Sequence, residues 1–330
     1  MYKPHYSVVL SNVGFCCDRF MSKGYNDPCS VTELFDRISS IKQIEGVELV
    51  GDVDISAQSV TQIQQNLERT GLKPVSIIPN LSLSRQWGKG AFSSKDRQIR
   101  QAAISHTEEM MDVAAEIGCG LVSIWPGQDG YDYPFQSDYI EERGWMEEGI
   151  KECCRHRKDI RISLEYKPKE PRVRSYLSTI STSLLCVRDI NEENCGVTID
   201  FGHALEAYEN PAESVAILQM SGNKLFHVHM NDNYGLWDDD MIAGTVHTIS
   251  YLEFLYWLKR TNYDGWISFD QYPYREDGRE AVAEGLGWVS ALNDTMEKMD
   301  PDEVEMLIRK GDATQSSRMI RKYLLGSGRT

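Results

Sequence analysis

The chain has 330 residues, of which 41% are hydrophobic and 26% are charged, and its formal net charge at pH 7 is −15. This composition is typical of an ordinary globular protein that is long enough to bury a substantial core. The acidic balance argues against nucleic acid and anionic membranes as partners, because both require basic patches on the protein.

Short apolar and β-branched runs recur roughly every 30 to 45 residues and predict eight strands. In chain order the predicted strands are Ser7–Leu10, Val47–Gly51, Val75–Pro79, Leu121–Trp125, Ile160–Glu165, Val197–Asp200, Leu225–Met230 and Trp266–Asp270. Segments of helical periodicity lie between them. The clearest of these predicted helices are Val31–Ile44, Ser59–Thr70, Gln98–Ile117, Ile140–Arg157, Ala212–Met220 and Tyr251–Thr261.

The alternation of strands and helices predicts an α/β protein with a parallel sheet. Eight such units match a (β/α)8 TIM barrel. A doubly wound sheet is the alternative, but no glycine-rich phosphate fingerprint follows the first strand. We assign residues 1–298 to the barrel, as the catalytic domain. Residues 299–330 are predicted to form a C-terminal helical extension that covers the barrel or a neighbouring subunit, with helices at Glu303–Lys310 and Ser316–Leu325.

The last four predicted strands carry carboxylates and histidines at their C-terminal ends, where such barrels place catalytic residues. Glu165, Asp200 and Asp270 end three strands, and His229 lies in the fourth. Three carboxylates and one imidazole suit a divalent ion such as Mn²⁺, which we expect, or Mg²⁺ or Co²⁺. A single Asp after a strand is more often a helix N-cap, so the metal site is predicted from the coincidence of four strand ends. We assign His227 to the opposite face from His229, as a core residue.

Lys167 lies two residues beyond Glu165, and residues at this spacing share a face of a strand. We expect Lys167 to enter the same cavity and to neutralise oxyanion charge, or to act as an acid or base if the metal and burial lower its pKa. The alternative is an ion pair at the rim with Glu170 or an aspartate. His203, which follows Asp200 by three residues, is the rival base.

Two loops are predicted to contact the substrate. The loop after the fourth strand contains Trp125, Gln128 and Tyr131, and its aromatic rings would stack on a sugar or pack the barrel mouth. After the seventh strand, Asp238 lies in an acidic segment that binds substrate or a second cation, or is simply solvated. His247 contacts substrate or fixes that loop.

This arrangement resembles the xylose-isomerase-like barrel superfamily of sugar isomerases and epimerases over about residues 5–290. Within it, the pattern is similar to the bacterial L-rhamnose isomerase type. The matching residues are Glu165, Lys167, Asp200, His203, His229, Asp238, Asp240 and Asp270.

The resemblance implies a structural metal held by Glu165, Asp200, His229 and Asp270. It also implies a second metal position near Glu165, His203 and Asp238. Gln271 directly follows the last ligand, so it is the alternative to Asp270 as the fourth ligand. The residues expected to carry the chemistry are Lys167, His203, Glu165 and Asp270.

A second resemblance is to the alpha subunits of bacterial C-glycoside deglycosidases. It rests on the segments IWPGQDGYDYPFQSDY, residues 124–139, and EYKPKEPR, residues 165–172. It implies a metal-dependent carbon–carbon lyase that removes a proton α to the carbonyl of a 3-oxo-C-glycoside and eliminates the aglycone. It also implies a small β-rich partner subunit, and hence an oligomer.

The alternative function is a metal-dependent aldose–ketose isomerase or epimerase that assembles with copies of itself. Both reactions begin with removal of a proton α to a carbonyl. A metal-dependent endonuclease is disfavoured by the net charge of −15, and a non-catalytic sugar-binding protein by the many convergent ligands.

Three features predict a cytoplasmic protein. The N-terminus lacks the pattern of a signal peptide, and no apolar run is long enough to span a membrane. The eight cysteines include no CxxC pair, which favours reduced thiols over a zinc site or a disulfide framework.

Overall fold

The computed structural model describes residues 2–14, 16 and 21–326. Its barrel strands are β1 His5–Val9, β2 Ile44–Val50, β3 Lys73–Ile78, β4 Leu121–Ile124, β5 Arg161–Glu165, β6 Cys195–Asp200, β7 Leu225–Met230 and β8 Trp266–Phe269. All eight pair in parallel and close into a barrel, in the order β1-β8-β7-β6-β5-β4-β3-β2. The predicted (β/α)8 TIM barrel is therefore confirmed.

The helices surround the barrel and continue past it. They are α1 Val31–Ser39, α2 Val60–Thr70, α3 Arg97–Ile117, α4 Tyr139–His156, α5 Ile180–Ile190, α6 Phe201–Glu206, α7 Pro211–Met220, α8 Thr248–Arg260, α9 Gly278–Lys298, α10 Pro301–Lys310 and α11 Ala313–Leu325. A two-stranded antiparallel ladder joins Gly130–Tyr131 to Arg174–Ser175 beside the barrel mouth. Within the described residues, no helix is both long enough and apolar enough to cross a membrane.

Most predicted elements agree with the structure to within a few residues, but the first helix is an exception. Helix α1 ends at Ser39, whereas the sequence predicts a helix that continues to Ile44. Ile44 instead pairs with Tyr6 as the first residue of β2, and Gly46 pairs with Ser7. The apolar spacing is compatible with a helix, but pairing with β1 takes these residues into the barrel.

Helices α10 and α11 form the predicted C-terminal extension. Val304 and Leu307 of α10 and Met319 of α11 are buried. Glu305 of α10 accepts a hydrogen bond of 2.8 Å from the Tyr256 hydroxyl of α8. The division into units at residues 1–298 and 299–330 stays a prediction, and Met1 and residues 327–330 lie outside the described residues.

Gly46 is needed where β2 approaches its neighbours. A Cβ atom there would lie 2.4 Å from Val75 Cγ2 and 2.9 Å from Trp266 Cζ3. We therefore expect Gly46→Ala to destabilise the protein by about 1–3 kcal/mol through overpacking, measured as a lower urea midpoint. Gly144→Ala, in α4, is the control, because a Cβ there meets no atom within 4 Å and alanine favours a helix. Equal midpoints for the two variants would contradict this account of the β2 contact.

Candidate metal centre and active site

Four strand ends bring Glu165, Asp200, His229 and Asp270 together. One ligand atom from each residue lies within 4.8 Å of the others. Glu165 and Asp200 are the last residues of β5 and β6, His229 is the penultimate residue of β7, and Asp270 directly follows β8. Because parallel strands end at one rim of the barrel, these four side chains enter the same space.

The Nδ1 atom of His229 gives the clearest indication that this cluster fits a cation. It lies 3.3 Å from Glu165 Oε1 and 3.4 Å from Asp270 Oδ2. It is buried and has no hydrogen-bond partner in the described part of the chain. A buried imidazole nitrogen left unpaired is costly, and a divalent cation would accept its lone pair. Three carboxylates and this nitrogen fit Mn²⁺, Mg²⁺ or Co²⁺, and the choice of Mn²⁺ stays a prediction.

The crowding of carboxylates also favours a bound cation. Burial raises the pKa of Asp200 to about 7 and that of Asp270 to about 6, and the negative charge of Glu165 adds to both shifts. Burial also opposes ionisation of Glu165, but His229 and His203 outweigh it and hold the Glu165 pKa below its ordinary value. A cation would stabilise the ionised form of all three groups.

Of the two alternatives for the fourth ligand, the geometry favours Asp270 over Gln271. Both amide atoms of Gln271 are already paired with the backbone. Its Nε2 donates to the Ala281 carbonyl at 2.8 Å, and its Oε1 accepts from the Ala243 amide at 3.0 Å. Asp270 completes the compact cluster instead.

Lys167 lies beside the cluster, buried to 8% exposure. Its Nζ is 2.6 Å from Asp238 Oδ2 and 3.3 Å from Glu170 Oε2. Burial lowers the pKa of Lys167, but Asp238, Asp240 and Glu170 outweigh this effect, so the pKa is raised overall. Without a cation at the cluster, these carboxylates therefore keep Lys167 as a buried ammonium, and a pKa lowered by a nearby metal stays a prediction. The alternative ion pair is also present, but it lies within the cavity.

The second metal position implied near Glu165, His203 and Asp238 has no matching ligand cluster among the described residues. The two carboxylates face different nitrogens of the histidine. Glu165 Oε1 is 3.4 Å from His203 Nδ1, whereas Asp238 Oδ2 is 3.2 Å from His203 Nε2. One ion cannot bind at both edges of the ring in this geometry, and the Lys167 ammonium lies 2.6 Å from Asp238 Oδ2. The second metal position stays a prediction.

A cavity of about 390 Å³ adjoins the cluster. Its charged lining residues are Glu165, Lys167, His203, Asp238, Asp240 and Asp270. Two of the predicted substrate-binding residues, Trp125 and Asp238, line this cavity. The Lys167 Nζ lies 5.5 Å from the centre of the Trp125 ring, so an ammonium and an aromatic face border the same space.

The other three predicted substrate-binding residues are not among those that line the cavity. Gln128 donates from Nε2 to the Ser82 carbonyl at 3.2 Å. Tyr131 packs against two further tyrosine rings, with centroids 4.9 and 6.0 Å away. His247 Nδ1 lies 2.8 Å from Asp232 Oδ1. These contacts shape the loops around the mouth, the alternative that the sequence left open for Tyr131 and His247.

Sequence reasoning missed two buried polar residues that support the cluster. Asn231 Nδ2 donates to Asp200 Oδ2 at 2.8 Å and thereby orients this carboxylate. Glu48 of β2 lies 2.7 Å from His227 Nε2 and 3.4 Å from His229 Nε2. The assignment of His227 to the opposite face is wrong, because residues two apart on a strand share a face. A carboxylate inside the apolar run Val47–Val50 was the available signal for Glu48.

A family model described as the xylose isomerase-like TIM barrel matches residues 35–292. The chain belongs to this family. Curated xylose isomerases from Thermus thermophilus and Thermus caldophilus are 28% and 27% identical to it over 231 residues. Each match covers 68% of this chain but only 59% of the relative.

Solved structures of this xylose isomerase-like fold superpose over nearly their whole length. The 3-keto-D-glucoside 4-epimerase YcjR from E. coli has a TM-score of 0.67 at 16% identity, covering 87% of this chain and 99% of its own. A D-tagatose 3-epimerase-like protein has a TM-score of 0.66 at 23% identity, covering 88% and 98%. At these identities the likeness shows the shared fold.

The metal centre predicts that Mn²⁺ raises the melting temperature of protein stripped of metal. Binding stabilises the folded state by about 2.7 kcal/mol when the free ion is at 100 times its Kd. We expect His229→Ala to abolish the increase, because it removes the only imidazole ligand of the cluster. His247→Ala is the matched control and should keep it, since His247 bonds to Asp232 outside the cluster. If Mn²⁺ raised the melting temperature of His229→Ala as much as that of the wild type, this result would contradict the assigned metal site.

Proposed function

We propose that the chain is a divalent-metal-dependent enzyme that acts on a sugar carbonyl and begins by removing a proton α to it. The observation that carries this proposal is that two residues of the ligand cluster, Glu165 and Asp270, line one cavity of about 390 Å³ together with Lys167 and His203. A cavity of this size suits a small ligand. The names of the curated relatives, xylose isomerases, support a sugar as the substrate.

A divalent ion at the cluster would supply electrostatic stabilisation for the negative charge that develops on the carbonyl oxygen. Lys167 adds a fixed ammonium on the same cavity wall, held in place by Asp238 at 2.6 Å. An ammonium so oriented can donate a hydrogen bond to the developing oxyanion without reorganising. Lys167 therefore acts in this proposal as an electrostatic and hydrogen-bonding group.

In this proposal the other ionisable groups of the cavity carry out the proton transfer. His203 bridges the two halves of the site, with Nδ1 3.4 Å from Glu165 and Nε2 3.2 Å from Asp238. Glu165 ends β5 and Asp270 follows β8, and these are the outer two of four neighbouring strands. The two carboxylates therefore reach the cavity from different sides. We propose that Glu165 and Asp270 take the proton from the sugar carbon and that His203 returns it as the acid. His203 suits this role because Asp200 and Asp238 outweigh burial and raise the pKa of His203 to about 9.

We further propose that the substrate is a 3-oxo-C-glycoside and that the reaction is cleavage of its carbon–carbon bond. Val53 and Leu83 line the cavity yet are 51% and 73% exposed. They form an apolar rim that an aglycone would cover. A free sugar would leave this rim exposed to water. The name of the E. coli neighbour, a 3-keto-D-glucoside 4-epimerase, supports the capacity of this fold to hold a 3-oxo sugar.

The proposed step removes the proton from C2, next to the C3 carbonyl. The electron pair of the C2–H bond forms the C1–C2 double bond as the bond from C1 to the aglycone breaks. The aglycone carbon leaves with the bonding electrons and takes up a proton, so no oxidant or water is consumed. A small β-rich partner subunit and an oligomeric assembly belong to this proposal. An aldose–ketose isomerase or epimerase, which shares the first proton removal, is the alternative.

Chromatography of the reaction products distinguishes the two chemistries. The protein with Mn²⁺ is incubated in D₂O with a 3-oxo-C-glucoside, and separately with a panel of aldoses and ketoses, with and without a co-expressed small partner. We expect the release of free aglycone, and we expect EDTA to abolish it. Interconversion of free sugars with deuterium uptake at carbon would support the isomerase instead. No metal-dependent proton exchange on any carbonyl sugar would contradict the whole proposal.

Removal of the buried ammonium separates catalysis from metal binding. We expect Lys167→Met to lower kcat/KM by about 100-fold or more, because the cavity loses a preorganised donor, while the affinity for Mn²⁺ stays within about twofold. Lys158→Met is the control, since Lys158 is exposed and its Nζ lies 3.9 Å from Glu192 on the surface. Full activity in Lys167→Met would exclude the proposed role.

A further inference from the structure

Glu48 is a carboxylate buried in the barrel interior, and it is not among the residues that line the cavity. It lies on β2 with no exposed surface. Its Oε1 is 2.7 Å from His227 Nε2, and its Oε2 is 3.4 Å from His229 Nε2, so it reaches across the barrel to β7. The described residues provide it with no lysine or arginine partner within ion-pair distance. A buried carboxylate costs several kcal/mol unless it is paired, so its retention calls for a specific role.

The two ring nitrogens of His229 face different groups. Nδ1 points to the ligand cluster, 3.3 Å from Glu165 and 3.4 Å from Asp270, and has no hydrogen-bond partner among the described residues. Nε2 points to Glu48. If Nδ1 is to offer a lone pair to a cation, the ring proton must be on Nε2, and Glu48 is the acceptor that stabilises it there.

His227 fixes the carboxylate that performs this task. Its Nε2 contacts Oε1 at 2.7 Å, a hydrogen-bond distance, and its ring meets that of His229 edge to face at 5.0 Å. The second oxygen of Glu48 is thereby directed toward His229. The same three residues form a compact group of possible ligands, but the short contact between Glu48 and His227 is that of a direct hydrogen bond.

We propose that Glu48, held by His227, is a positioning residue that sets the tautomer and ring orientation of the metal ligand His229. The inference rests on the metal centre of the proposed function. If Glu48 served only the stability of the fold, replacing it would lower the free energy of unfolding and leave metal binding unchanged. Neutral hydroxyl pairs, such as Ser163 Oγ and Thr198 Oγ1 at 2.6 Å, already satisfy other polar groups inside the barrel. An isosteric neutral residue at position 48 should therefore be tolerated by the fold while metal binding suffers.

The test uses Glu48→Gln, with Mn²⁺ affinity measured by calorimetry on protein stripped of metal. We expect the Kd to rise about 10–100-fold, as for other partners of metal-ligating histidines, with little change in the urea midpoint of the metal-free protein. Burial opposes protonation of His229, but Glu165 and Glu48 raise its pKa overall, so ¹⁵N NMR of the metal-free wild type is recorded at alkaline pH, where the ring is neutral. The spectrum should show His229 protonated on Nε2, and Glu48→Gln should lose this single tautomer. Ser123→Ala is the matched control. It removes a buried hydroxyl that lies 3.1 Å from Thr198 Oγ1, so it should lower the midpoint and leave the Kd unchanged.

The outcomes separate this inference from the metal centre on which it rests. A wild type that binds no divalent ion would refute the metal centre, and the NMR spectrum would still test the tautomer. Tight Mn²⁺ binding by both wild type and Glu48→Gln, with His229 protonated on Nε2 in each, would overturn the inference alone. If Glu48→Gln fails to fold, His227→Phe removes the donor that directs Glu48. A weaker Kd in that variant supports the inference, and an unchanged Kd overturns it.

Discussion

The concentration of negative charge at the carboxyl ends of β5, β6 and β8 is the constraint on which the site depends. Glu165, Asp200 and Asp270 reach one point because parallel strands in a closed barrel end at a common rim. Burial makes their joint ionisation unfavourable, and a cation relieves this conflict. The unpaired Nδ1 of His229 completes a ligand set that hydrogen bonding alone does not satisfy.

A second group of opposite charges lies beside the ligand cluster. Lys167 places a buried ammonium against Asp238, and His203 contacts the same carboxylate oxygen. Lys167 thus places a cationic group beside Asp238, one of the residues of the second metal position that the resemblance implied, and that position stays a prediction. This arrangement ties the end of β5 to the loop that carries Asp238, so the electrostatic wall of the cavity is built before substrate arrives. Preorganised charge of this kind is most effective in a site shielded from water.

Buried polar residues in the barrel interior contact the ligand cluster. Glu48 connects β2 to the two histidines of β7, and Asn231 orients Asp200 from the end of the same strand. The cavity itself has a charged lining beside the ligand cluster and exposed apolar side chains at Val53 and Leu83. The proposed proton-transfer centre, with this apolar rim, would fit a sugar that carries a hydrophobic substituent. The first step, removal of a proton α to the carbonyl, is the same for the proposed lyase and for the alternative isomerase.

The sequence by itself determined the eight strand–helix units and the carboxylates at the strand ends, because periodicity and strand termini are local properties of the chain. Only the tertiary structure decided that Ile44 begins a strand, since that depends on pairing with Tyr6. It also decided that Lys167 pairs with Asp238, 71 positions away, and that Glu48 meets His229, 181 positions away. Closing the barrel creates these contacts between distant segments, and no local pattern encodes which side chains then meet.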